Sequence, residues 1–281
     1  MEHEIGVKQM KPLQILLPSF LVCGLATAVD ADLYLANALP DGTSQLHTLD
    51  TTSGLPTYVG EFEGTISSLA PSDSADLLYG SIWQSVGLTH IGPQSATSTV
   101  VGGVYSEGMA FDHTTGKLYG AFDGNLRELG PADGSVIKNL PSANADVEGL
   151  AYGNGVVYGL NGTGSGGGNP GELLAYDIAS QSWSTIGQTG LTSADEVGLA
   201  FDPESEMLFL KDGNDTNLYK VDPATAEKTL VGDTGLSGAS GMAFLDSPKP
   251  VPDPSSLVAL IGMATMGLVV APRRCSRTSH L

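Results

Sequence analysis

Short apolar runs, each bounded by Gly, Asp, Asn or Pro, follow one another from about residue 32 to residue 246, and they repeat as a group. The most regular run is a phrase of Gly, an apolar residue, Ala and an aromatic. It stands at Gly108-Met109-Ala110-Phe111, Gly149-Leu150-Ala151-Tyr152, Gly198-Leu199-Ala200-Phe201 and Gly241-Met242-Ala243-Phe244, with a weaker copy at Ser68-Leu69-Ala70-Pro71. The second residues of these phrases are 40, 41, 49 and 43 positions apart. A period of that length, filled with short strands, predicts propeller blades instead of helical repeats. The long step contains the Gly-rich stretch from Gly162 to Gly171, which reads as a loop insertion.

Within each period the strands fall into columns. A second strand carries an aromatic at Tyr34, Tyr79, Tyr119, Tyr158 and Phe209. A third strand begins at Leu46, Leu88, Leu126, Leu173 and Leu218 and ends in a turn residue four positions later. A fourth ends in an apolar residue and Gly at Val59-Gly60, Val101-Gly102, Ile186-Gly187 and Val231-Gly232, with Ile137-Lys138 as the exception. The first copy starts at Asp32-Leu33-Tyr34, already its second strand, and the phrase from Gly241 to Phe244 is left over at the end. The prediction is an all-β, five-bladed β-propeller over 32–246, closed by pairing the C-terminal strand into the N-terminal blade, which removes exposed sheet edges. Whether every blade has three or four strands stays open. Asp123-Gly124 and Asp212-Gly213 predict tight hairpins between second and third strands, because Asp-Gly supplies the positive φ such turns need. Met109, Leu150, Leu199 and Met242 are expected to fill space between blades, and Trp83 and Trp183 to pack within them.

The two ends differ from the body. Lys8 and Lys11 precede an apolar stretch from Pro12 to Leu25, followed by small residues, so 1–31 reads as a signal peptide removed by signal peptidase. The other end has a Pro-rich linker over 247–256, an uncharged apolar run over 257–271 and a basic tail over 272–281. The run is long enough to form a short transmembrane sorting helix, and the basic residues after it stay on the cytoplasmic side. Val251, Pro252, Asp253 and Pro254, followed by the span and by Arg273, Arg274 and Arg277, resemble the PEP-CTERM sorting signal. Asp253 stands where that family has Glu, and Cys275 with Ser276 interrupts the arginines. The resemblance implies export, transient anchoring in the membrane, processing by an exosortase-type enzyme, and release to the cell surface or extracellular matrix. The stretch from Gly198 to Gly232 resembles YVTN and NHL-like secreted propeller repeats, which implies fold and location but no catalytic residues.

Charge narrows the partners. The whole chain carries a formal net charge of -19, and between Asp32 and Lys249 seven Lys and Arg face twenty-seven Asp and Glu. Nucleic acid and anionic membrane surfaces are therefore poor partners for the body. Both cysteines, Cys23 and Cys275, lie in the end segments, so disulfides take no part in the body. The residues from Asp212 to Asn217 offer oxygen ligands, but Asn217 replaces the Gly and Pro223 the bidentate Glu of a calcium loop. Gly162 to Gly167 matches a dinucleotide glycine pattern without the following helix. His47, His90 and His113 share no column and no metal-ligand spacing.

One cluster has a shared location. Glu107, Asp146, Glu148, Asp195 and Glu196 precede the inner-strand phrase in three successive blades, where loops gather around one mouth of the channel. Converging carboxylates favour a cation or cationic ligand, and hard oxygen donors suit Ca²⁺. The function expected is a non-catalytic binding or matrix component of the bacterial envelope or exopolysaccharide layer, with polysaccharide or envelope proteins as partners. The alternative is a lactonase-like or quinoprotein-like secreted enzyme with a metal at that mouth.

Overall fold

The computed structural model describes residues 31–83, 87–164, 167–192, 194, 196–238 and 240–246. The segments read from the sequence as signal peptide (apart from Ala31, which opens the first strand), Pro-rich linker, transmembrane run and basic tail, with every residue of the expected sorting motif, lie outside the described residues. Blade one holds β1 (Ala31–Ala38), β2 (Thr43–Leu49) and β3 (Pro56–Glu63). Blade two is β4 (Ile66–Pro71), β5 (Leu78–Ile82), β6 (Gly87–Ile91) and β7 (Ser98–Gly102). Blade three is β8 (Gly108–Asp112), β9 (Lys117–Phe122), β10 (Asn125–Leu129) and β11 (Val136–Asn139). Blade four is β12 (Val147–Gly153), β13 (Val156–Asn161), β14 (Glu172–Asp177) and β15 (Ser182–Gln188). Blade five is β16 (Gly198–Asp202), β17 (Met207–Lys211), β18 (Asn217–Val221) and β19 (Lys228–Asp233). The last strand, β20 (Ser240–Asp246), returns to blade one, giving five antiparallel sheets of four strands.

Closure is a full strand pairing. β20 runs antiparallel to β1 with Leu33 opposite Phe244 and Leu35 opposite Met242. The inner strands β4, β8, β12, β16 and β20 then touch in sequence, and β20 touches β4 to complete the ring.

The Gly-apolar-Ala-aromatic phrase has a packing explanation. Its apolar second residue packs on the preceding blade, where it meets that blade's Ala: Met109 clusters with Ala70, Leu150 with Ala110, Leu199 with Ala151, Met242 with Ala200 and Leu69 with Ala243. A small residue on one side therefore makes room for a large one from the other, all the way round. The fourth residue continues the contact. Phe201 stacks on Tyr158, Phe111 lies against Tyr79, and Phe244 meets Phe209 edge-on at 5.2 Å. The aromatic column of the second strands is thus an inter-blade column. Burying each such side chain contributes about 1.5–3 kcal/mol.

The fourth-strand column is a repeated β-bulge. The register shifts beside Val59, Val101, Ile186 and Val231, which turns these residues toward the blade interface. In blade three the shift falls at Ile137 instead, which is 60% exposed and has no Gly after it. That displacement accounts for the sequence exception. The glycine after the bulge lies against the outer turn of the next blade: Gly60 at Ser95 and Ala96, Gly187 at Thr225, and Gly232 at Ser53 across the closure. A Cβ on Gly232 would overlap the Ser53 carbonyl. Gly232→Val is therefore expected to cost about 2–3 kcal/mol in denaturant unfolding, and a loss below about 0.5 kcal/mol would remove this contact from the closure.

In blades one, four and five the outer turn is held by the side chain of its first residue, an Asp. Asp50 Oδ1 accepts hydrogen bonds from the backbone and hydroxyls of Thr52 and Ser53, which lowers its pKa from 3.8 to about 2. Asp177 and Asp222 cap the corresponding turns through Ser180 and Ala224. A depressed carboxylate contributes stability that is complete above the unfolded pKa and lost as pH falls through the folded one. Melting temperature should therefore fall between about pH 4 and pH 2, and the difference between wild type and Asp50→Asn should vanish at the acid end. An unchanged difference at pH 2 would contradict the assignment.

Candidate functional site

The carboxylates gather at the end of the channel where the inner strands begin. Glu107 precedes β8, Glu148 sits at the second position of β12, and Glu196 precedes β16, so blades three, four and five each deliver one. All three line a single pocket of about 120 Å³ together with Ser67, Trp83 and Tyr105. Asp123 N–H donates to Glu107 Oε2 at 3.2 Å, tying that carboxylate to the Asp123-Gly124 hairpin. Both hairpin residues have positive φ, as Asp-Gly predicts. Burial, above all, pushes the Tyr105 phenol up to about 12; a hydrogen bond with Ser67 opposes this, and the negative field of Glu107, Glu148 and Glu196 adds to it. One phenol thus senses all three carboxylates. A wider opening of about 510 Å³, reaching Asn37 and the stretch from Gly235 to Gly238, shares Thr65 and Glu196 with this pocket, so the two form one groove across the mouth.

Asp146 does not join them. It is buried beneath the Gly-rich loop, its backbone N–H donates to Asn161 Oδ1, and Gly164 passes so close that a Cβ would overlap its carboxylate. Gly162 clears space for Glu148 in the same way. The Asn161 amide donates to the carbonyls of Gly167 and Asn169, which anchors the loop as a cover over the blade-four side of the mouth. Asp195 lies outside the described residues. Among the described residues no group of three or more His, Cys, Asp or Glu side chains is close enough to hold a metal ion. The mouth therefore offers separated carboxylates facing a shared space, a geometry suited to a ligand larger than one ion.

The two tryptophans behave differently. Trp183 packs as expected, against Tyr176, with its indole N–H donating to the Pro141 carbonyl at 2.8 Å. Trp83 does not pack within its blade: it is 51% exposed and stands in the mouth beside the three glutamates. Its sequence signal was position, directly after β5, where second-to-third-strand loops rim the mouth.

The second predicted Asp-Gly hairpin is also corrected. β17 and β18 are joined by the longer loop 212–216, and neither Asp212 nor Gly213 has positive φ. Lys211, fully buried, donates from Nζ to the carbonyls of Asp212 and Asp215 at 3.2 and 3.1 Å. Asp212 Oδ1 accepts from Asn214, and Asp215 from the Tyr219 hydroxyl. Burial lowers the Lys211 pKa, and Asp215 and Asp212 oppose that shift. The oxygen-rich loop that resembled a calcium site is organised around the chain's own ammonium group.

No protein-family model matches the sequence, and no curated protein matches it. Among solved structures the fold is similar to a chain in the crystal structure of a nidogen/laminin complex, with a TM-score of 0.53 and 15% identity, covering 74% of this chain and 80% of that one. The chain is a five-bladed β-propeller. A glutaminyl cyclase from Myxococcus xanthus is also similar, with a TM-score of 0.44, 16% identity and coverage of 74% and 76%. The likeness to the nidogen/laminin chain is of fold alone.

Proposed function

We propose that the protein is an exported, surface-sorted propeller that binds carbohydrate through the glutamate-rich mouth, as a non-catalytic component of the bacterial envelope or exopolysaccharide layer. The observation that carries this reading is the convergence of Glu107, Glu148 and Glu196 on one pocket beside an exposed Trp83. An indole face stacks on the apolar face of a sugar ring, and carboxylates accept hydrogen bonds from its hydroxyls. Three carboxylates in a body this acidic repel anionic polymers, so neutral or amine-bearing sugars fit best. An acidic polysaccharide would need Ca²⁺ bridging it to the glutamates.

The tails fit the same reading. Ala31 pairs with Asp246, and β20 runs away from the mouth, so these two residues lie on the face opposite the site. A protein held by its C-terminal segment presents the mouth outward. Signal peptidase and an exosortase-type enzyme are the processing partners this proposal requires. Intact mass and terminal peptides of the protein from its own cell envelope test the sorting step. A product from about residue 32 to about residue 254 supports it, and retention of Leu257 to Arg277 contradicts it. For binding, glycan-array signal is expected to fall about tenfold or more in Trp83→Ala and several-fold in Glu148→Gln, with unchanged melting temperature. Equal signal from wild type and both variants would remove the mouth as the site.

A further inference from the structure

The opposite end of the channel is a different chemical environment. Leu69, Met109, Leu150, Leu199 and Met242, one from each inner strand, narrow the channel below the glutamates to a gap with no room for water. Beyond this constriction lies a chamber of about 240 Å³. Its walls continue with the fourth residues of the phrase, Pro71, Phe111, Tyr152, Phe201 and Phe244. Among the described residues only His113 and Tyr152 contribute polar side chains, and both are engaged elsewhere: His113 Nδ1 lies 3.4 Å from Asp73, and the Tyr152 hydroxyl hydrogen-bonds with Asp112 and Thr114. The chamber's other polar groups are backbone N–H and C=O of the inner strands, each of which forms the open inner edge of its sheet.

We propose that this chamber is a second ligand site, which takes a compact aromatic molecule of roughly the size of indole. Size sets the upper limit: a cavity of about 150 Å³ holds benzene, so this one holds roughly a fused two-ring system. An α-helix, at about 10–12 Å across with side chains, does not enter, which excludes a helical peptide as the occupant. Aromatic walls and the sulfurs of Met109 and Met242 favour a flat π-system over an alkyl chain. The five-fold floor closes the site toward the mouth, so its ligand enters from the opposite face, where Ala31 and Asp246 lie. The site does not depend on the carbohydrate reading.

The test uses the full chain with ¹³C-labelled methionine methyl groups. Indole is expected to shift Met109 and Met242 saturably, with a Kd on the order of 0.1–1 mM, while Met207 stays unmoved and Met263 and Met266 report any non-specific uptake by the C-terminal run. 1-Octanol, of similar size, should bind at least about fivefold more weakly. Leu199→Trp should fill the chamber and weaken indole about tenfold, and Trp83→Ala should leave it unchanged. Absence of shifts at Met109 and Met242, or octanol binding as tightly as indole, overturns the proposal. So does unchanged indole affinity in a Leu199→Trp protein that melts like wild type. The methyl shifts decide the question alone if that variant fails to fold.

Discussion

A chain ended after Gly238 is expected to lose its cooperative melting transition. β20 provides the innermost strand of blade one, and without it β1 presents an unpaired edge to the channel. The loss also strips Met242, Ala243, Phe244 and Leu245, all buried, from the interfaces that blade one makes with blades five and two. At about 1.5–3 kcal/mol for each of the three large side chains, the deficit is on the order of 5–9 kcal/mol before the ladder bonds are counted. That equals most of the stability of an ordinary domain. Circular dichroism melts and limited proteolysis check it: the expected result is a broad transition and rapid cleavage, and a sharp melt within a few degrees of wild type would show that the ring does not depend on closure.

The second large effect is at Lys211. Its column, two residues after the inter-blade aromatic, otherwise holds Ala36, Ser81, Ala121 and Leu160, all buried. Lysine is tolerated there because the loop 212–216 folds back and supplies two carbonyls and the nearby Asp212 and Asp215. Lys211→Ala removes the ammonium and the stem together, leaving carbonyls without a donor and a void. The expected cost is about 3–5 kcal/mol in urea unfolding. Lys211→Met keeps the stem and should cost about half as much, the part due to the lost donor. Equal stability of Lys211→Met and wild type would mean that the ammonium does not hold the loop.

Much of this architecture was legible because a propeller writes the same instruction several times. Blade number, strand columns and ring closure follow from the recurring phrase and from its displaced first copy, and the structure places all of them where the pattern does. The four strands per blade were less visible, since the fourth strands are mostly exposed or half-buried and carry a bulge that breaks their alternation. At the mouth, Glu107, Glu148 and Glu196 line one pocket because each stands just before an inner strand or within its first two residues. Asp146 shares that position, yet Asn161 and the inserted loop draw it inward, and a long-range contact of that kind leaves no local pattern. Lys211 and the apolar chamber were both visible in the columns, as a charge among small and apolar residues and as an aromatic toward the end of four of the five inner strands. Their meaning needed the third dimension, which shows one column facing a loop and the other facing an open channel.

The most direct test of the mouth as the functional site is equilibrium binding of the full chain to the exopolysaccharide of its own cells, measured by calorimetry beside Trp83→Ala and Glu148→Gln. Saturable binding by wild type that is lost in Trp83→Ala and weakened in Glu148→Gln is the result expected. No heat with wild type, with and without added Ca²⁺, or equal affinity in all three proteins, would contradict the assignment of carbohydrate binding to this mouth.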